Sequence, residues 1–150
     1  MQIKRTNSND IDFKNLIKSL DNELSETYGE EQTKYNKFNK VEEIETVVLA
    51  YQNDTPIGCG CIRKYDNDTI EIKRMFVQND YRRKGVSKLV LKELESWAIE
   101  IGYKKAILET GIYQINAKGL YSNNGYKQID NFGQYIGIQT SICMMKNLIK

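Results

Sequence analysis

Histidine is absent from all 150 residues. No Ser-His-Asp or Cys-His nucleophile system can exist in this chain. Any base must be a carboxylate, a tyrosine, a lysine, a thiolate or a water. Cysteine is sparse, with only Cys59, Cys61 and Cys143. Residues 1–7 have no apolar core, so no signal peptide is expected. An odd cysteine count in that context argues against a disulfide framework. Cys59 and Cys61 fall two apart on an expected strand and share a face. A closed zinc site would need a carboxylate beside the three thiols, so buried structural thiols are the expectation and no metal is assigned.

Long apolar runs are also missing. The longest is a handful of residues, far short of the ~20 that cross a membrane. Charge of one sign is missing too. The 22 basic and 20 acidic residues leave +2, too balanced a field to predict nucleic-acid binding. There are no repeats, no low-complexity segments and no linker. The expectation is one soluble, cytoplasmic domain over residues 1–150, with no membrane and no nucleic-acid partner.

Hydrophobic residues make up 40% of the chain, enough for a packed core. Gln2 to Thr6 reads as an edge strand. From Asp10 onward Phe13, Leu16, Ile17, Leu20 and Leu24 recur at helical spacing, with Asn9 or Asp10 as N-cap. A poorer helix is expected from Glu31 to about Lys40, carrying Tyr35 and Phe38 as packing or pocket aromatics. Residues 45–51, 57–65 and 70–77 are β-rich and joined by short polar turns, which predicts an antiparallel meander. In the third of these strands the alternation of Ile70 and Ile72 breaks near Arg74, because Met75, Phe76 and Val77 are all apolar. Either a β-bulge restores parity there or the strand is buried on both faces.

A helix over residues 83–101 follows, with Val86, Leu89, Val90, Leu94, Trp97, Ala98 and Ile101 as its stripe and Gly102 as its stop. Residues 105–110 form the next strand. Strand, crossover helix and strand make a parallel pair, so the sheet is mixed. A short helix from Asn116 stops at Asn124-Gly125, and residues 126–130 and 140–145 read as a closing hairpin.

The turn Tyr81-Arg82-Arg83-Lys84-Gly85-Val86-Ser87 joins a strand to a helix N-terminus. The first N–H groups of a helix have no intrahelical partner and carry partial positive charge, which makes such a turn an anion site. Arg82, Arg83, Lys84 and Lys88 add formal charge, and Gly85 leaves the backbone open to close approach. A solvated basic turn is the plainer alternative.

Arg82-x-x-Gly85-x-Ser87 resembles the Arg/Gln-x-x-Gly-x-Gly/Ala loop of GNAT-type (GCN5-related) N-acetyltransferases, departing from it at Ser87. Glu71-Ile72-Lys73-Arg74-Met75-Phe76-Val77 precedes it, and Leu108-Glu109-Thr110-Gly111 and Asn116-x(4)-Tyr121-x(3)-Gly125-Tyr126 follow in that family's order. The resemblance implies an α/β (α+β) acyl-CoA N-acyltransferase fold, a mixed and mostly antiparallel sheet of six to seven strands flanked by about four helices. It implies acetyl-CoA as co-substrate and a small-molecule or peptide amine as acceptor, and it leaves a homodimer open. It assigns pantetheine pairing to the backbone of Met75, Phe76 and Val77. The pyrophosphate goes to Arg82 and to the amides of Arg83, Lys84, Gly85, Val86 and Ser87. Asn116 is assigned to the cofactor arm and Tyr121 to the general acid.

Direct attack on a thioester needs the amine deprotonated, the carbonyl polarised and the leaving thiolate protonated. Without histidine the candidate bases are Glu71 and Glu109, both on strands where desolvation raises a carboxylate's pKa. Glu71 is the first choice, since it precedes the expected bulge, and a positioned water is the remaining option. The other open class is an acetyl-CoA or nucleotide-binding sensor module without turnover.

Overall fold

The computed structural model describes residues 1–28 and 43–149. The chain runs β1 (Gln2–Thr6), α1 (Ile11–Tyr28), β2 (Val47–Gln52), β3 (Thr55–Lys64), β4 (Thr69–Val77), α2 (Val86–Glu100), β5 (Lys105–Gly111), α3 (Ile115–Asn123), β6 (Lys127–Ile129) and β7 (Ser141–Asn147). One seven-stranded sheet has the order β1-β2-β3-β4-β5-β7-β6. Only β4 and β5 pair in parallel, across the α2 crossover; every other pair is antiparallel. The mixed, mostly antiparallel sheet is therefore as expected. Three α-helices lie among the described residues, against about four expected. The helix predicted from Glu31 to about Lys40, with Tyr35 and Phe38, lies outside the described residues.

Asp10 caps α1: its Oδ1 accepts the Asp12 amide at 2.9 Å, satisfying one orphan donor of the first turn. The predicted stripe of Phe13, Leu16, Ile17, Leu20 and Leu24 is buried, and it packs with Val47, Leu49, Cys59, Cys61 and Phe76 on one face of the sheet. The opposite face carries Val48, Ala50, Ile62, Ile70, Ile72, Val77 and Leu108 against α2.

Two boundaries of α2 differ from expectation. The helix starts at Val86 and not at Arg83, because Arg83 (φ 63°) and Gly85 (φ 82°) both take left-handed backbone. Its buried face is Val86, Val90, Leu91, Leu94, Glu95 and Ala98. Leu89 and Ile101 of the predicted stripe are exposed. The helix is rotated so that Leu91 and a glutamate take the inner positions.

The break in alternation on β4 is a bulge. Cys59 pairs with Phe76 and Cys61 with Lys73, so Gly60 alone faces the two residues Arg74 and Met75. Arg74 is the extra residue, at φ 58°. Parity shifts across it: even-numbered Ile70 and Ile72 face α2 before the bulge, and odd-numbered Val77 does after it. Gly60 is required opposite the bulge. A Cβ there would sit 2.5 Å from the Met75 sulfur, 2.9 Å from a Leu94 methyl and 3.1 Å from a Val90 methyl. Gly60→Ala is expected to destabilise the fold by ~1–3 kcal/mol through overpacking, read as a lowered midpoint in chemical denaturation.

Candidate active site

Strand β4 pairs with β5 only from Thr69↔Lys105 to Ile72↔Leu108. Both strands continue, to Val77 and Gly111, without pairing to each other. The two strands splay apart, and a cleft opens between them. Its lining includes Leu20 and Leu24 from α1, Glu71, Lys73, Arg74 and Met75 from β4, Glu109 and Thr110 from β5, Gln114, Tyr121 of α3, and Tyr135. The cavity volume is about 80 Å³, room for several waters or for the reacting end of a substrate. The sequence-predicted residues Glu71, Glu109, Tyr121 and Met75 meet here, although they lie on three elements.

The two glutamates have different surroundings. Glu71 is 2% exposed and accepts a hydrogen bond from the Tyr135 hydroxyl at 3.0 Å. The Arg63 Nε and the Lys73 Nζ each stand 3.9 Å from its carboxylate oxygens. Glu109 accepts one hydrogen bond, from the Ser141 hydroxyl at 2.6 Å. Burial raises its pKa from the ordinary 4.5 to about 7, and the nearby Glu71 charge adds to the rise; Ser141 and Lys73 oppose it. Burial lowers the Lys73 pKa, partly offset by Glu71.

Tyr121 is 6% exposed, and burial followed by the Glu109 charge pushes its phenol pKa up. Its hydroxyl stays protonated at neutral pH. No described residue hydrogen-bonds that hydroxyl. The thiols are not bases here: burial pushes Cys59 up, Cys61 to about 12 and Cys143 to about 11. All three are free and buried, as expected of structural thiols.

The turn before α2 lies beyond the open edge of β4. Gly85 is the N-cap and no side chain caps the helix, so the first amides of α2 have no side-chain partner. A Cβ on Gly85 would find no atom of the described residues within 4 Å, so among them approach to this backbone is open. Arg83, Lys84 and Lys88 are exposed around it. Arg82 differs from its basic neighbours. Its Nε donates to the Val77 carbonyl at 2.9 Å, its guanidinium pairs with Glu23 of α1, and it lies over the Phe76 ring. That side chain braces the turn against α1, whereas Arg83, Lys84 and Lys88 are exposed.

Asn116 is exposed and does not line the cleft. Nor is it the helix cap, since the N-cap is Gln114, whose Oε1 accepts the Gly111 amide at 2.9 Å. Tyr135, Lys73 and Gln114 were not singled out as site residues from the sequence. Tyr135 and Gln114 sit in irregular connections, where hydrophobic periodicity carries no signal. Lys73 was legible only as a polar position on the same face as Glu71.

Residues 13–126 match the family model described as the acetyltransferase (GNAT) family. The chain belongs to that family. A curated relative, the IAA acetyltransferase of Azospirillum brasilense, is 30% identical over 141 residues, covering 89% of this chain and 88% of its own. A Klebsiella pneumoniae protein described as an acyl-CoA N-acyltransferase superposes with a TM-score of 0.82 at 25% identity, over 99% of this chain and 97% of its own. A GNAT family acetyltransferase from Elizabethkingia anophelis, solved with acetyl-CoA bound, shares the fold at a TM-score of 0.60 and 23% identity, over 68% and 75% of the two chains. The GNAT chain is thus an acetyltransferase, and its splayed strands carry two of the motifs on which the resemblance rested, Glu71 to Val77 and Leu108 to Gly111. Among its described residues no cluster of three or more His, Cys, Asp or Glu side chains could hold a metal ion.

The raised pKa of Glu109 makes stability depend on pH. Between pH 4.5 and about 7 the folded chain keeps a proton on Glu109 that the unfolded chain has released. This group's contribution to stability therefore falls as pH rises through that window. Glu109→Gln removes the titration, so the variant's stability should decline less than wild type between those limits, measured by chemical denaturation at a series of pH values.

Proposed function

We propose that this GNAT chain, a single domain, moves the acetyl group of acetyl-CoA to a primary amine by direct attack in a ternary complex. The observation that carries the reading is the splay of β4 from β5. It leaves the backbone of Met75, Phe76 and Val77 without a β5 partner, with Met75 beside Tyr121 and Glu109 in the cleft lining and the Val77 carbonyl held by Arg82 at the start of the turn to Gly85. A pantetheine arm can add to that edge as a strand would, with its pyrophosphate at the α2 N-terminus. The amides from Arg83 to Ser87, with Lys84, are the groups that take the diphosphate. The acceptor is a small-molecule or peptide amine.

Glu109 is the better base of the two glutamates. A base works best with its pKa near the operating pH, and burial brings Glu109 to about 7. Glu71 already accepts from Tyr135 and stands between Arg63 and Lys73, so its charge is balanced by cations while lone pairs remain. It is suited to hold the acceptor's polar groups. In the reaction Glu109 takes the proton from the attacking ammonium, directly or through a water. The amine nitrogen bonds to the acetyl carbon as the carbon–sulfur bond breaks. A backbone amide of the open β4 edge steadies the carbonyl oxygen, and Tyr121 gives its proton to the departing thiolate; the second proton that the nitrogen loses on becoming an amide passes through water to restore Tyr121, and Glu109 releases its own to solvent.

Rate should rise with pH through about 7 as Glu109 ionises. Glu109→Gln should lose that limb and ~100- to 10,000-fold in kcat/KM near neutral pH, recovering in part at high pH where the amine deprotonates itself. Glu71→Gln should keep the limb and raise KM for the amine. If Glu71→Gln loses the limb and Glu109→Gln keeps it, the roles are exchanged; if both keep it, no carboxylate is the base.

Tyr121→Phe keeps the ring and removes the acid. It should lower kcat ~100-fold or more with little change in affinity for acetyl-CoA, measured by thiol release and by calorimetric titration.

A further inference from the structure

Glu95 is a buried carboxylate that the reaction above does not use. It is 6% exposed, in the middle of the inner face of α2, beside Leu91, Leu94 and Ala98. A carboxylate in such surroundings is costly unless it is paired and hydrogen-bonded. Glu95 is both. Its Oε2 accepts the Tyr126 hydroxyl at 2.8 Å, and the Lys146 Nζ donates to its two oxygens at 3.0 and 3.2 Å. Lys146 Nζ also stands 5.6 Å from the centre of the Tyr126 ring. Apolar residues of similar size would often serve stability equally well at such a position, so stability alone does not account for the group.

What the cluster reaches is the ring of Tyr121. The Tyr126 ring meets it edge-on, with centroids 5.7 Å apart and planes at 66°. The Tyr126 amide also donates to the Tyr121 carbonyl at 3.0 Å, which closes the end of α3. Elements α2, β7 and the α3–β6 corner thus converge on one side chain. No described residue hydrogen-bonds the Tyr121 hydroxyl, so its direction is set by how the ring is packed. A general acid must lie within ~2.6–3.2 Å of the atom it protonates, and small misplacements are costly in rate. Burial and the Glu95 charge both raise the Tyr126 pKa, so this phenol remains a donor throughout the neutral range.

We propose that Glu95, Tyr126 and Lys146 form a clamp that positions Tyr121 for proton donation, a proposal that rests on the reading of Tyr121 as the general acid. All three are positioning residues, since none of them lines the cleft.

The test is steady-state kinetics of Tyr126→Phe made in both wild-type and Tyr121→Phe backgrounds. The expected result in the wild-type background is a fall in kcat of about fivefold with KM for acetyl-CoA unchanged. In the Tyr121→Phe background the same substitution should cost less than about twofold, because there is no acid left to misplace. Glu95→Gln keeps an acceptor for the Tyr126 hydroxyl and loses the ion pair. It should melt lower than wild type and lower kcat where Tyr121 is present, while holding kcat within about twofold in the Tyr121→Phe background, which separates positioning from stability. If Tyr126→Phe does not fold, Lys146→Met is read in the same two backgrounds, with the same loss expected only where Tyr121 is present. An equal loss in both backgrounds, or no loss in either, overturns the clamp while leaving the general acid intact. An unchanged kcat for Tyr121→Phe alone overturns the general-acid reading and the clamp with it.

Discussion

The bulge at Arg74 is the constraint on which the rest of the site depends. One extra residue, held at φ 58°, lets β4 serve two cores with one strand. Before the bulge Glu71 and Lys73 face α1, and Ile70 and Ile72 pack under α2. After it Phe76 faces α1 and Val77 faces α2. A regular strand would place either Phe76 or Glu71 on the wrong side. The Arg74 side chain is held as well as its backbone, by Asp21 of α1 at 2.7 Å. The strained residue is thereby tied to the helix that walls the cleft, which is how a left-handed non-glycine residue persists. Gly60 completes the arrangement by leaving room opposite.

The two glutamates of the cleft differ in the partners that surround them. Glu71 has a phenol and two cations close by, and Glu109 has one hydroxyl. The same burial that raises Glu109 keeps Tyr121 protonated, so a proton acceptor and a proton donor coexist at neutral pH in one small space. Away from the cleft, ion pairs fasten the frame. Arg5 of β1 pairs with Glu93 and Glu100 of α2 and lies over Trp97. Arg82 fastens the turn before α2 to α1 through Glu23. These exposed and half-exposed pairs are worth little each. Their value is geometric, since they tie β1 to α2 and the turn before α2 to α1, the helix that lines the cleft.

Much of this was legible in the amino-acid order. The five-residue stripe of α1, the strand positions, the parallel crossover, the parity break at Arg74 and the glycine at the α2 entrance all follow from local periods and turn chemistry. The order of motifs pointed to the GNAT family. Absence of histidine left a carboxylate, a tyrosine, a lysine, a thiolate or a water as the base. A chain pattern reports which residues can share a face, because side-chain direction repeats every 2 or 3.6 residues.

It does not report what a side chain meets across space, and those encounters decided the rest. Whether Arg82 faces an anion or a glutamate depends on α1, which lies about 59 positions away in sequence along the pair. Whether Glu71 or Glu109 is free to take a proton depends on Tyr135 and Ser141, brought in by the last connection and the last strand. The inner face of α2 takes Leu91 and Glu95 in place of Leu89 and Ile101, because Tyr126 and Lys146, from the far end of the chain, pair with Glu95 there. Local sequence determined the elements and the chemistry they carry. Desolvation and long-range pairing, which exist only once the sheet has closed on its helices, decided which of those groups the reaction can use.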